Sequence, residues 1–158
     1  MKNVILCDLD GTLANIEHRL KYIKGPGKKD WDKFHTECVN DSPNWDVIDI
    51  LYRLEGRNCG CGGRVNEVYI LSGRNSVVRE ETVRWLQENV DEFWDYDTRL
   101  VMRKANDRRP DTVVKKEMVD KLGLTPKDVL CVLDDRQCVV DMWRENGFRC
   151  LQVQAWTE

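Results

Sequence analysis

Two aspartates, Asp8 and Asp10, stand where the apolar run Val4-Ile5-Leu6-Cys7 meets the turn residues Gly11 and Thr12. Side chains along a strand repeat with period two, so both carboxylates are predicted to leave the strand end on one side. Carboxylates crowded there repel each other unless a cation lies between them. Magnesium, which favours hard oxygen ligands, meets that need and points to metal-assisted phosphoryl chemistry. Three further groups follow along the chain: Ser72-Gly73-Arg74, Lys115 and Asp134-Asp135-Arg136. Each alone has an ordinary structural explanation, as a strand-terminal turn, a solvated helical lysine and a helix start. In this order they supply what phosphoryl transfer needs: a nucleophile, an acid–base group, donors for the phosphoryl oxygens and cation ligands.

Such residues require a frame that brings them to one edge. Five apolar runs read as strands, at about 3–8, 66–71, 98–102, 129–133 and 148–153, continuous enough to be parallel and covered on both faces. Helical patterns lie between them. Ser42-Pro43 reads as an N-cap with proline at the first helical position, opening a helix over 43–55 with Val47, Ile50, Leu51 and Leu54 on one face. Another helix is expected over 30–39. Ser76 is expected to cap a helix carrying Val78, Thr82, Trp85, Leu86 and Asn89 on one side. Asp111 is expected to cap one with Val114, Met118 and Leu122, stopped by Gly123. Asp135 or Arg136 opens the last, with Val139, Val140 and Trp143 inward. The alternation predicts an α/β fold with a doubly wound parallel sheet. Ligands bind such sheets beyond the carboxyl ends of the strands, where strand order reverses. Residues 14–64 exceed what one crossover needs, and 14–45 are read as a small cap or substrate-facing segment within a single domain, 1–158.

The 158 residues, 41% hydrophobic and 34% charged, describe a globular chain with no run long enough to span a bilayer. The net charge of −3 argues against a protein that grips a long duplex through many phosphates, so nucleic-acid contact is expected to be local, at an end or a short single strand. Arg103, Lys104, Arg108 and Arg109 cluster around Asp107, either as a solvated loop or as a phosphate-attracting rim. Seven scattered cysteines read as reduced thiols, which with the absence of a signal-peptide core predicts an intracellular, cytoplasmic protein. Cys59-Gly60-Cys61 supplies at most two zinc ligands with no second pair, and reads chiefly as a glycine turn, with a metal or redox role as the alternative.

With Asp8-Leu9-Asp10-Gly11-Thr12, Ser72, Lys115 and Asp134-Asp135 in order, the chain resembles the haloacid dehalogenase superfamily of phosphatases. Arg19, Ser72-Gly73-Arg74, Asp111-Thr112-Val113-Val114-Lys115, Asp134-Asp135-Arg136 and Val139 to Arg144 narrow the resemblance to the 3′-phosphatase domains of bacteriophage polynucleotide kinase/phosphatases. No G-x-x-x-x-G-K-[ST] motif accompanies it, so a kinase and a ligase are expected as separate partners. The resemblance implies a Rossmann-like sheet with the first strand central, and magnesium-dependent hydrolysis of a 3′-phosphate on DNA or RNA ends. The alternative is a free nucleotide or another small phosphate ester. A non-catalytic end-binding module is disfavoured by the presence of all four motifs.

On this resemblance Asp8 is the nucleophile and Asp10 the general acid and then base. Magnesium is held by Asp8, the Asp10 main-chain carbonyl, Asp134 and waters oriented by Asp135. Ser72, the Gly73 amide and Lys115 are expected to meet the phosphoryl oxygens. Thr12 is read equally as a positioning hydroxyl or as a closer of the turn. Arg19 and Arg74 are the candidate contacts to substrate phosphate, and Arg136 is expected to brace the aspartate pair. His35 is read as a surface or packing residue. Trp31 and Trp45 are read chiefly as packing residues, with base stacking as the alternative. Trp85 and Trp143 are assigned to the core.

Overall fold

The computed structural model describes residues 3–56 and 65–156. Five parallel strands form the sheet: β1 (Val4–Asp8), β4 (Glu67–Asn75), β5 (Leu100–Arg103), β6 (Val129–Arg136) and β7 (Cys150–Trp156), in the order β5-β4-β1-β6-β7. The first strand is therefore central. Its alternation divides the core: Ile5 and Cys7 face one cluster, Val4 and Leu6 the other. The first cluster is closed by Ile48 and Leu51 of α3 (Trp45–Glu55) and by Trp85 and Leu86 of α4 (Arg79–Asn89). The second is closed by Val114 and Met118 of α6 (Asp111–Lys121) and by Val140 and Trp143 of α7 (Gln137–Glu145). Helices therefore cover both faces of the sheet. From β1 the chain runs out to β4 and β5 and returns to β6 on the opposite side of β1, which sets the reversal of strand order beside Asp8.

Between β1 and α3 the chain leaves the sheet. The excursion is closed by an antiparallel pair, β2 (Ala14–Asn15) with β3 (Ser42–Pro43), and contains α1 (Glu17–Leu20), α2 (Trp31–Thr36) and a 3₁₀ turn at Glu37–Asn40. A further short helix, α5 (Tyr96–Arg99), precedes β5.

Several local expectations are corrected. Ser42-Pro43 does not open α3: Pro43 pairs with Ala14, and the Asn44 N–H donates to Leu13 O at 2.8 Å, which keeps the segment extended until Asn44. The turn into α4 is capped by Asn75, whose side chain accepts from the Val77 N–H, rather than by Ser76. Asp111 is the first helical residue of α6, after Pro110, and its carboxylate turns elsewhere. Strands β4 and β6 continue three or more residues past their apolar runs, because the hydrogen-bond ladder extends into the polar residues of the site. Trp85 and Trp143 are core, but Trp31 and Trp45 are exposed. The five cysteines among the described residues are free thiols, and Cys59 and Cys61 lie outside the described residues. No described helix is long and apolar enough to cross a membrane.

Candidate active site

Asp8 is the last residue of β1, and Asp134 and Asp135 lie near the end of neighbouring β6. All three are buried, and one carboxylate oxygen from each lies within 4.8 Å of the others. Lys115, also buried, projects from the first turns of α6 and donates to Asp8 Oδ1 at 2.7 Å and Asp134 Oδ2 at 2.8 Å. The Thr12 hydroxyl donates to Asp8 Oδ2 at 2.9 Å, so this hydroxyl orients Asp8 while its N–H closes the turn on Leu9 O. Trp143 Nε1 donates to Asp134 Oδ2 at 3.2 Å.

Three carboxylates face one ammonium here. Burial pushes the Asp8 carboxyl well up, and the Asp134 and Asp135 charges add to this against the opposing pull of Lys115. Burial and the Asp134 charge push Asp135 up to about 7. Lys115, despite burial, is held charged by Asp134 and Asp8. This excess of buried negative charge, offered by hard oxygen donors, fits a divalent cation of the magnesium type.

The Asp10 carboxylate departs from this cluster. Its Oδ1 accepts from Arg19 Nη2 at 2.6 Å and from Arg74 Nε at 2.7 Å. Burial alone would raise Asp10, but the Arg74 and Arg19 guanidiniums outweigh it and hold the carboxyl well below the usual range. The two strand-end carboxylates are thus not crowded over a shared cation: one is engaged by Lys115, the other by arginine. Arg19 and Arg74, expected to reach toward substrate, have no exposed surface. Arg19 also donates to Asp41 Oδ1 and Oδ2, each at 2.7 Å, and to Phe34 O. Arg74 donates to Asp41 Oδ2 at 2.6 Å. In this geometry they position Asp10.

A second clamp closes the rim. Asp111 Oδ2 accepts from Arg136 Nη1 at 2.6 Å, and its Oδ1 accepts from Arg103. Arg136, expected to brace Asp134 and Asp135, grips Asp111 with its side chain. Asp111 presses against Gly73, where a Cβ would come within 2.7 Å of its Oδ1. Ser72 Oγ is buried and accepts from the Arg74 N–H at 3.1 Å. At Gly11, φ is +88° and a Cβ would lie 2.0 Å from Asp135 Oδ2, so only glycine lets the turn pass the carboxylate. Of the basic run, Arg103 is engaged by Asp111, and Arg109 by Asp107 and Glu117. Lys104 and Arg108 remain without an ion pair among the described residues, so the expected rim is reduced to those two.

Asp41, Asp111, the Trp143 indole and His35 were missed as site residues. Asp41 sits in a polar turn, Asn40-Asp41-Ser42, with no motif around it. Its only signal is indirect: two arginines beside one strand end need more than one carboxylate to be buried. His35 lies close enough to Asp10, Arg19, Arg74 and Arg103 to feel their charges.

A profile of the polynucleotide kinase PNKP phosphatase domain family matches residues 2–156. A protein of Autographa californica nuclear polyhedrosis virus, named as a bifunctional polynucleotide kinase/RNA ligase, is 28% identical over 141 residues, 89% of this chain and 18% of its own length. A chain of the Pnkp1/Rnl/Hen1 complex superposes with a TM-score of 0.75 at 31% identity, over 100% of this chain and 48% of that one. A haloacid dehalogenase family enzyme of Bacteroides thetaiotaomicron, solved with magnesium and inorganic phosphate, has the same fold, with a TM-score of 0.56 at 13% identity over 100% and 97% of the two chains. The chain thus spans 18% of the viral relative and 48% of the complex's chain.

Proposed function

The chain belongs to the polynucleotide kinase PNKP phosphatase domain family, a family of phosphomonoesterases, and on that premise we propose that it is a magnesium-dependent enzyme removing a 3′-phosphate from nucleic-acid ends. The observation that carries the reading is the buried triad of Asp8, Asp134 and Asp135 with Lys115 between them, two residues from an Asp10 held by its own pair of arginines.

In the proposed reaction the Asp8 carboxylate attacks phosphorus, forming an Asp8–phosphate bond as the bond to the 3′-oxygen breaks. Asp10 gives the departing alkoxide a proton. It then takes one from the water that hydrolyses the aspartyl-phosphate. Arg19 and Arg74 favour the ionised, base form of Asp10, and the negative charge of an approaching phosphate raises its pKa toward the acid form. Thr12 and Lys115 orient the two Asp8 oxygens, and Lys115, with Ser72 and the Gly73 amide, faces the phosphoryl oxygens once substrate is bound. A magnesium ion held by Asp8, Asp134, Asp135 and the Asp10 carbonyl would neutralise charge on the transferring group. Residues 14–45 serve in this reading as a small cap or substrate-facing segment over the rim. Similarity to proteins named for kinase, ligase and RNA-repair roles supports a place beside a kinase and a ligase, and free thiols suit a reducing cytoplasm.

The test compares phosphate release, with magnesium, from a 3′-phosphorylated oligonucleotide and from the matching 3′-mononucleotide. The reading expects the oligonucleotide to be strongly preferred and Asp8→Asn to abolish both. Equal rates would assign the chain to free nucleotides or small phosphate esters.

A further inference from the structure

Five lysines and the rings of Tyr22 and Trp31 gather on residues 21–33, between the first strand and α3, and the proposed chemistry uses none of them. Residues 21–33 carry five lysines against two aspartates in a chain of net charge −3. Lys21, Lys24, Lys28, Lys29 and Lys33 are all exposed. Of the two aspartates, Asp30 is turned onto the backbone, accepting from the Lys33 N–H at 2.9 Å as the cap of α2. Lys21, Lys28, Lys29 and Lys33 have no ion pair among the described residues. Lys21 and Lys33 stand over the Tyr22 ring, 5.1 and 5.0 Å from its centroid, and Lys29 stands 5.6 Å from that of Trp31.

Trp31 is 49% exposed although it sits among rings. It lies on His35, with centroids 6.2 Å apart and planes 28° from parallel, and meets the Phe34 ring edge-on at 5.8 Å. The Arg19 guanidinium is 4.3 Å from the Phe34 centroid and holds Asp10. One ring and one guanidinium therefore separate Trp31 from the carboxylate at the reaction centre. His35 adds a buried Nδ1 with no hydrogen-bond partner beside that path.

An exposed indole backed by a second ring offers a flat face for a base, and interleaved lysines match a charged backbone. A single strand requires this combination, since every base has a π-face and every linkage a negative charge. We propose that Trp31 and the lysines of residues 21–33 form the docking surface for the single-stranded polynucleotide whose 3′ end enters the site. Trp31 stacks a base near the end, and Lys28, Lys29 and Lys33 meet phosphates upstream. The inference rests on the 3′-end reading above and specifies how the protein distinguishes a strand from a mononucleotide.

The test uses Trp31→Ala, Trp31→Phe and the triple variant Lys28→Ala, Lys29→Ala, Lys33→Ala, whose side chains are exposed, with thermal melting to verify folding. kcat/KM is measured on a 3′-phosphorylated single-stranded oligonucleotide and on p-nitrophenyl phosphate, and binding of the 3′-hydroxyl oligonucleotide by fluorescence anisotropy. Trp31→Ala is expected to lose about tenfold in oligonucleotide binding and kcat/KM, with recovery in Trp31→Phe. The triple variant is expected to reduce the slope of log affinity against log salt by about 2. Hydrolysis of p-nitrophenyl phosphate stays unchanged in all of them. Equal losses on both substrates, or unchanged anisotropy, overturn the docking surface. A wild-type protein that hydrolyses p-nitrophenyl phosphate but not the oligonucleotide overturns the 3′-end reading instead, whereas variants as active as a competent wild type overturn only this inference.

Discussion

Asp41 is a single buried carboxylate shared by two buried guanidiniums, with His18 Nε2 also 2.9 Å from its Oδ1. Burial raises its own pKa, and the charge it supplies is what allows Arg19 and Arg74 to be fully buried while still turned to Asp10. Asp41→Asn keeps the volume and removes the charge. Breaking a buried ionic group by removing one partner costs about 3–5 kcal/mol, which urea denaturation should report as a lower midpoint with an unchanged slope. Phosphatase activity should fall as well, because the arginines that position Asp10 lose their anchor. A midpoint equal to wild type would mean that Asp10 alone compensates both guanidiniums. None of this was legible at the residue level: the motif residues around Asp8 announce themselves, but Asp41 has no motif, and its partners lie 22 and 33 positions away.

The elements owe their chemistry to where they stop. The β1 strand ends at Asp8, and Gly11 then carries the chain past Asp135 with a positive φ. Gly11→Ala combines backbone strain with a collision against a buried carboxylate, and is expected to cost about 3 kcal/mol and most of the activity, checked by melting and phosphate release together. A variant that melts like wild type would show that Asp135 can swing aside. The apolar runs located all five strands, since strand interiors are largely buried, although the run at 98–102 begins two residues early, inside α5. They placed the ends of β4, β6 and β7 too early, because hydrophobicity reports burial and the ladder continues after burial by apolar groups has ended. Cap positions erred for a related reason. Ser42 and Asp111 have good cap chemistry, but Ser42 is drawn into the β2–β3 pair and Asp111 into the clamp of Arg103 and Arg136.

For the whole molecule, the buried acidic triad links folding to pH and, on the proposed function, to magnesium. Asp135 has a folded-state pKa of about 7, above the ordinary carboxylate value of about 3.9. A group raised on folding holds its proton more tightly in the folded state, so its contribution to stability is present below about pH 4 and lost as the pH rises through 7. Asp8 acts in the same direction. Asp10, depressed by its arginines, acts oppositely, with stability lost on acidification. In metal-free buffer Asp135→Asn should therefore exceed wild type in stability at pH 8 by about 2–4 kcal/mol, with the gap closing toward pH 4. Magnesium should raise the wild-type melting temperature at pH 8 more than that of the variant, since ligand binding to the folded state stabilises it. A gap independent of pH would remove the triad from this linkage.

The parallel sheet and the polar residues at its strand ends were legible along the chain, because they depend on local periodicity and on motifs a few residues long. Which carboxylate meets which cationic side chain emerged only from the folded chain. Asp8 and Asp10 share a strand parity, yet one is engaged by Lys115 from α6 and the other by Arg19 and Arg74. That partition depends on helices and loops folded against the rim from up to 107 residues away, and electrostatic pairing follows distance in space rather than spacing along the chain.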